Sequence, residues 1–135
     1  MKAIPSISKF MSTVPKTIGS DQSLAKAGKL MSEFRIRRLP VLEGGKIVGI
    51  LSDRDVKLVE SFSDVDPEKV TVDEAYSPDP YIAAPTTSLA DVCAEMAAHK
   101  YGCALVVDNH QLVGIFTWID ALNAFNDLLT TRLKQ

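Results

Sequence analysis

Apolar positions along this chain change their period several times, and the sequence of changes occurs twice. From Leu24 they fall at Leu24, Ala27, Met31 and Phe34, with Leu30 beside them, which is one face of a three-turn helix. Turn residues Gly19-Ser20-Asp21-Gln22 lead to Ser23 as its N-cap. Arg38 to Leu42 reads as a strand, Glu43-Gly44-Gly45-Lys46 as a hairpin turn, and Ile47 to Leu51 as the returning strand. A helix is predicted from Asp53 to about Glu60. Lys16-Thr17-Ile18 forms a short extended piece, and Ser6 to Met11 is a lead-in of one helical turn.

The second passage repeats each element. Leu89, Val92, Cys93 and Met96 mark a helix face, Gly102 to Val107 a strand, Asp108 to Gln111 a turn, and Leu112 to Phe116 the return strand. A longer closing helix carries Ile119, Leu122, Phe125, Leu128 and Leu129 as an apolar stripe, read as core or dimer surface. Asp79-Pro80-Tyr81-Ile82 matches the first short strand one residue out of step. The expected division is a first repeat over 1–60 including the lead-in, a linker over 61–78, and a second repeat over 79–135. Within the Ser-, Asp-, Glu- and Pro-rich linker, Val70 to Ala75 is expected to form a short ordered turn. The predicted class is α+β, two β-α-β-β-α repeats packed sheet to sheet with pseudo-two-fold symmetry, because one unit of this size leaves its sheet half exposed.

Composition narrows the function. The 135 residues are 46% hydrophobic and 24% charged, as in soluble globular proteins. A net charge of −2 offers no basic surface for nucleic acid, so any anion site must be local. No apolar run is long enough to span a bilayer, and Met1 to Phe10 lacks a signal-peptide core, so no membrane partner is expected. Two cysteines, Cys93 and Cys103, make no disulfide framework and suggest a reducing cytoplasm.

The candidate chemistry is duplicated too. Gly49-Ile50-Leu51-Ser52-Asp53-Arg54-Asp55 and Gly114-Ile115-Phe116-Thr117-Trp118-Ile119-Asp120 are the same strand-to-helix junction, 65 positions apart. Ser52 and Thr117 place a hydroxyl beside unpaired helix N–H groups, which suits a phosphate or ribose oxygen. Asp55 and Asp120, one turn on, can accept from vicinal hydroxyls. The same spacing is a capping box in which the acid satisfies its own helix. Capping boxes favour the longer Glu or Gln, and both copies here use Asp. No nucleophile elbow, phosphate-binding glycine loop or metal-binding His motif is present. Asp53 and Asp55, two apart on a helix, point in different directions. No catalytic residue is therefore assigned, and an enzyme is not expected. Cys93, His99, Cys103 and His110 match no zinc spacing, so the cysteines are read as ordinary buried residues.

Arg38-Leu39-Pro40-Val41, the Gly44-Gly45 turn and Val48 to Asp55 resemble a CBS domain, named after cystathionine β-synthase, and Pro80 to Phe125 resembles a second one. Together they are similar to a stand-alone CBS pair, or Bateman module, over nearly the whole chain. The resemblance implies a regulatory module taking AMP, ADP, ATP or S-adenosylmethionine in clefts between its repeats, with no catalytic cofactor. It also implies a homodimer of two pairs, read by an unidentified effector protein. For such a ligand, backbone groups of Lys16-Thr17-Ile18 and Pro80-Tyr81-Ile82 are candidates for the adenine edge, and Ile18, Pro40, Ile82 and Leu105 for apolar walls. Lys16, Arg37, Arg38 and Arg54 are candidates for polyphosphate. Arg35, Arg37 and Arg38 can equally be a solvated helix end complementing the dipole. In the second copy Trp118 and Ile119 replace Asp53 and Arg54, which lowers cation density. Trp118 is read as interface or core packing. Tyr76 stands where the family's segment opens with Met, and Leu105 where the first copy has Pro40. The alternative function is a ligand-free assembly module acting through its dimer surfaces.

Overall fold

The computed structural model describes residues 3–132. In chain order the elements are β1 (Ser12–Thr13), β2 (Ile18–Gly19), α1 (Leu24–Phe34), β3 (Arg38–Glu43), β4 (Lys46–Ser52), α2 (Asp53–Glu60) and β5 (Ser77–Pro78). They continue with β6 (Ile82–Ala83), α3 (Leu89–His99), β7 (Cys103–Asp108), β8 (Gln111–Thr117) and α4 (Trp118–Asp127). Single 3-10 turns stand at Ile7–Lys9 and Val72–Glu74, and a π-helical turn, Leu128–Arg132, follows α4. The class is α+β, with two four-stranded sheets and four α-helices among the described residues.

One compact unit is Lys16–Pro80. Its sheet order is β2-β3-β4-β5, with β2 parallel to β3 and the other pairs antiparallel. Leu39, Val41 and Leu51 from the sheet meet Leu24, Ala27 and Met31 of α1 and Val56 of α2 in one buried cluster that also takes in Ile18 and Val72. Pro40, between Leu39 and Val41, is fully buried on the opposite face of the strand. The other unit joins the residues up to Pro15 to those from Tyr81 onward. Its sheet order is β1-β8-β7-β6, and its core gathers Ile7, Ala83, Val92, Met96, Ala104, Val106 and Phe116.

The expected division at 1–60, 61–78 and 79–135 therefore differs from the compact units. The lead-in leaves the repeat that follows it: Ser12 and Thr13 pair with Ile115 and Gly114 of β8, and Ile7 is fully buried in that unit. The expected linker lies wholly within the Lys16–Pro80 unit. Val72 is buried there, Leu24 N donates to Val70 O, and Ser77–Pro78 supplies the edge strand β5. The short ordered turn expected within Val70 to Ala75 is present as Val72–Glu74.

The register of the short strands also differs. Ile18 lies opposite Val41 and Ala83 opposite Val106, so the 65-residue spacing holds without a slip. Ala83 fills the place of Ile18, and Ile82 is 49% exposed. Both helices before the hairpins end on a left-handed residue, Arg35 (φ 55°) and Lys100 (φ 59°). Each hairpin turns on two more: Gly44 (58°) and Gly45 (81°), then Asn109 (51°) and His110 (65°).

Candidate functional site

In the Lys16–Pro80 unit, β3 begins where β4 ends and the residues just before β2 lead in from the same side, so one end of the sheet collects most of the expected residues. Lys16 and Thr17 precede β2, Arg37 and Arg38 lead into β3, and Ser52 closes β4 directly opposite Arg38. Arg54 and Asp55 follow in the first turn of α2, which is tied back by Asp53 N donating to Arg37 O at 2.7 Å. Ile18 follows Thr17 but is turned into the core, and Pro40 lies two residues beyond Arg38 along β3. A groove of about 680 Å³ runs beside α1 and α2 and reaches Arg35, Arg37 and Asp53.

The hydroxyl and carboxylate here form a reciprocal capping box. Ser52 N donates to Asp55 Oδ2 at 2.9 Å, and Asp55 N donates to Ser52 Oγ at 3.1 Å. The shorter Asp thus reaches as well as Glu, and its length is no argument against capping. The box uses Ser52 Oγ as an acceptor and one oxygen of Asp55. The Ser52 O–H and Asp55 Oδ1 have no partner among the described residues. Of the cations, Lys16 Nζ sits 4.4 Å from the Phe34 ring centroid. Lys16, Arg37, Arg38 and Arg54 have no carboxylate within 4.0 Å among the described residues, whereas Asp53 pairs with Lys57 at 3.1 Å.

The corresponding end of the other unit has the same capping box, between Thr117 and Asp120, with further bonds added. Thr117 N donates to Asp120 Oδ2 at 2.8 Å, and Thr117 Oγ1–H donates to the same oxygen at 3.3 Å. Ser12 Oγ, delivered by β1, donates to Asp120 Oδ1 at 3.5 Å. Leu105 N donates to Tyr81 O at 2.8 Å. Leu105 is fully buried, while Ile82 faces outward. The Tyr81 ring stacks on Tyr101 at 5.2 Å between centroids, and His99 stacks on Tyr101 at 5.1 Å. Burial pushes the Tyr81 phenol above its ordinary pKa, and the charges of Glu95 and Asp91 and the nearby Tyr101 add to the rise. Trp118 is 62% exposed rather than packed in the core, and its indole N–H donates to Tyr101 O at 3.0 Å.

Sequence reasoning missed Ser12, His99 and Tyr101 at this end. The aromatic exchange was visible by counting, since Tyr81 and Tyr101 stand 65 positions after Lys16 and Ile36. Ser12 carries no local signal; only strand pairing brings it to Asp120.

Two hairpin-and-helix repeats at constant spacing each end on a hydroxyl and an Asp at a helix start. The sequence matches the CBS domain family over residues 7–60 and again over 72–127. The chain belongs to the CBS domain family. The CBS domain-containing protein YhcV of Bacillus subtilis is 32% identical over 110 residues, covering 82% of this chain and 78% of that one. AcuB of Vibrio cholerae superposes with a TM-score of 0.84 at 28% identity, covering 98% of each chain. The CBS domain pair of protein MJ0100, solved with 5′-methylthioadenosine and S-adenosyl-L-methionine, superposes with a TM-score of 0.82 at 25% identity over 92% of this chain and 98% of that one. A CBS domain pair is a regulatory module rather than a catalytic one. No helix among the described residues is long and apolar enough to cross a membrane.

Proposed function

We propose that this CBS pair is a regulatory sensor of adenosine-containing ligands, of the class AMP, ADP, ATP or S-adenosylmethionine. The observation that carries the reading is the repeated sheet end where a junction hydroxyl and an Asp stand together, flanked in one copy by cations with no carboxylate partner among the described residues. The ligands in the MJ0100 pair support the same ligand class. Sensing requires that the ligand favour one conformation over another, so that a partner protein can read the difference. The small number of cysteines, two in the chain, fits a reducing cytoplasm.

The test is thermal unfolding with and without millimolar AMP, ADP, ATP, S-adenosylmethionine and NAD. A ligand that binds the native state at a hundredfold excess over its dissociation constant stabilises by about 2.7 kcal/mol. An upward shift with at least one adenosine compound is expected. If none moves the transition, sensing of this ligand class is refuted.

A second reading, assembly through a protein surface, is favoured by α4. Ile119, Leu122 and Phe125 are between 57% and 65% exposed on that helix, and Leu129 just beyond it is 43% exposed. A homodimer formed on this face is the expected form of that reading. Sedimentation of the wild type against Leu122→Glu and Phe125→Glu distinguishes it from a monomer.

A further inference from the structure

We propose that only one of the two repeated ends, that of the Lys16–Pro80 unit, takes a phosphorylated aminopurine nucleotide, and that the other end is internally satisfied and takes none. The inference rests on the ligand class proposed above and adds which end takes the anion and why.

Three independent asymmetries support it. The first is charge. At constant spacing, Lys16, Arg37, Arg38 and Arg54 are replaced by Tyr81, Gly102, Cys103 and Ile119. The first set brings four cations that lack acidic partners among the described residues, beside Asp53, already paired, and Asp55. The second set brings none. Lys100 matches Arg35, so it does not offset the difference. Glu95 and Asp91 also lie near enough to Tyr81 to stabilise its protonated form, and the same field opposes a phosphate.

The second asymmetry is the use of the hydroxyl proton. Ser52 Oγ accepts from Asp55 N and keeps its O–H for a ligand oxygen, and Asp55 keeps Oδ1 for a sugar hydroxyl. Thr117, in the same capping box, also donates its O–H to Asp120, whose two oxygens are both engaged, the second by Ser12.

The third lies in the backbone. In the second copy the Tyr81 carbonyl accepts from Leu105 N. In the first copy the residue in that ladder position is Pro40, which has no N–H to give, and the Lys16 carbonyl has no partner among the described residues. An unpaired carbonyl beside a cationic end calls for a ligand that couples an N–H donor to an anionic tail. The exocyclic amine of adenine and its phosphates meet both demands. A 6-oxo purine presents an acceptor there and is disfavoured.

The experiment is calorimetric titration of the full chain with ATP and with GTP. One ATP per chain is expected, binding ATP more tightly than GTP. Arg38→Ala should weaken ATP by about tenfold or more, the value of a hydrogen bond to a charged group. Asp55→Asn, which keeps a capping oxygen, should weaken it as well, while Asp120→Asn should leave it unchanged. Two ATP per chain, or a loss with Asp120→Asn equal to that with Asp55→Asn, overturns the inference while leaving nucleotide sensing intact. If neither ATP nor any other adenosine compound binds the wild type, both fall together. Arg38→Ala removes no capping bond and keeps the test decisive should Asp55→Asn fold poorly.

Discussion

Gly49 and Gly114 occupy the same place in the two repeats, yet an added methyl group meets different obstacles at each. At Gly49 a Cβ would stand 2.3 Å from the Ser77 carbonyl oxygen and 2.3 Å from Tyr76 Cδ2. The first obstacle is the backbone of the edge strand β5, which pairs Ser77 with Ile50 and Pro78 with Gly49. Gly49→Ala therefore has to lift β5 off β4. Losing a pair of net hydrogen bonds at about 1 kcal/mol each, with about 1 kcal/mol of Tyr76 packing, gives about 3 kcal/mol. The lower entropy of the unfolded alanine chain returns about 0.5–1 kcal/mol, leaving a net loss of about 2–2.5 kcal/mol. At Gly114 the nearest obstacle is the Met11 sulfur at 2.5 Å, the far end of a flexible side chain, and the Ser12 carbonyl lies at 3.0 Å. Met can turn aside, so Gly114→Ala is expected to cost about 1 kcal/mol or less. Urea unfolding of the two variants measures both values against the wild type. A Gly114→Ala cost equal to or above that of Gly49→Ala would refute the argument that backbone contact, rather than closeness itself, sets the price.

Two further outcomes are expected. His110 holds a left-handed conformation that costs a side chain about 1–2 kcal/mol, so His110→Gly should raise stability by about 0.5–1 kcal/mol, and a fall in the urea midpoint would contradict the turn geometry. Burial pushes the Cys93 thiol above its ordinary pKa, so at pH 7–8 less of it is thiolate than in a free cysteine. Iodoacetamide should therefore alkylate Cys93 more slowly than free cysteine at every pH in that range, and a faster reaction contradicts the burial argument.

The helices and hairpins were legible because their apolar positions follow a period set by burial. Met31 and Val92 could be placed on buried faces without knowing their partners. The edge strands were not legible. Ser12–Thr13 and Ser77–Pro78 are two residues long, exposed and without alternation, and what positions them is the room left by Gly114 and Gly49 across the ladder. The slip assumed at Pro80-Tyr81-Ile82 came from matching residue types. The ladder instead follows which side chain is buried, and that is Ala83. At the junctions the hydroxyl and carboxylate could be read from spacing, but the direction of each hydrogen bond could not. Ser52 and Thr117 differ by one methyl group, yet the Thr117 proton goes to Asp120 while that of Ser52 has no partner among the described residues.

The route of the backbone has a consequence for synthesis. Residues 16–80 form an uninterrupted stretch, whereas the other unit is assembled from two pieces on either side of it. As the polypeptide leaves the ribosome, the inner module can close as soon as its own last strand emerges. The segment around Ile7 must wait through all of that, and through the hairpin that ends at Thr117, before its strand finds a neighbour. A segment made before the inner module is thus put in place after it.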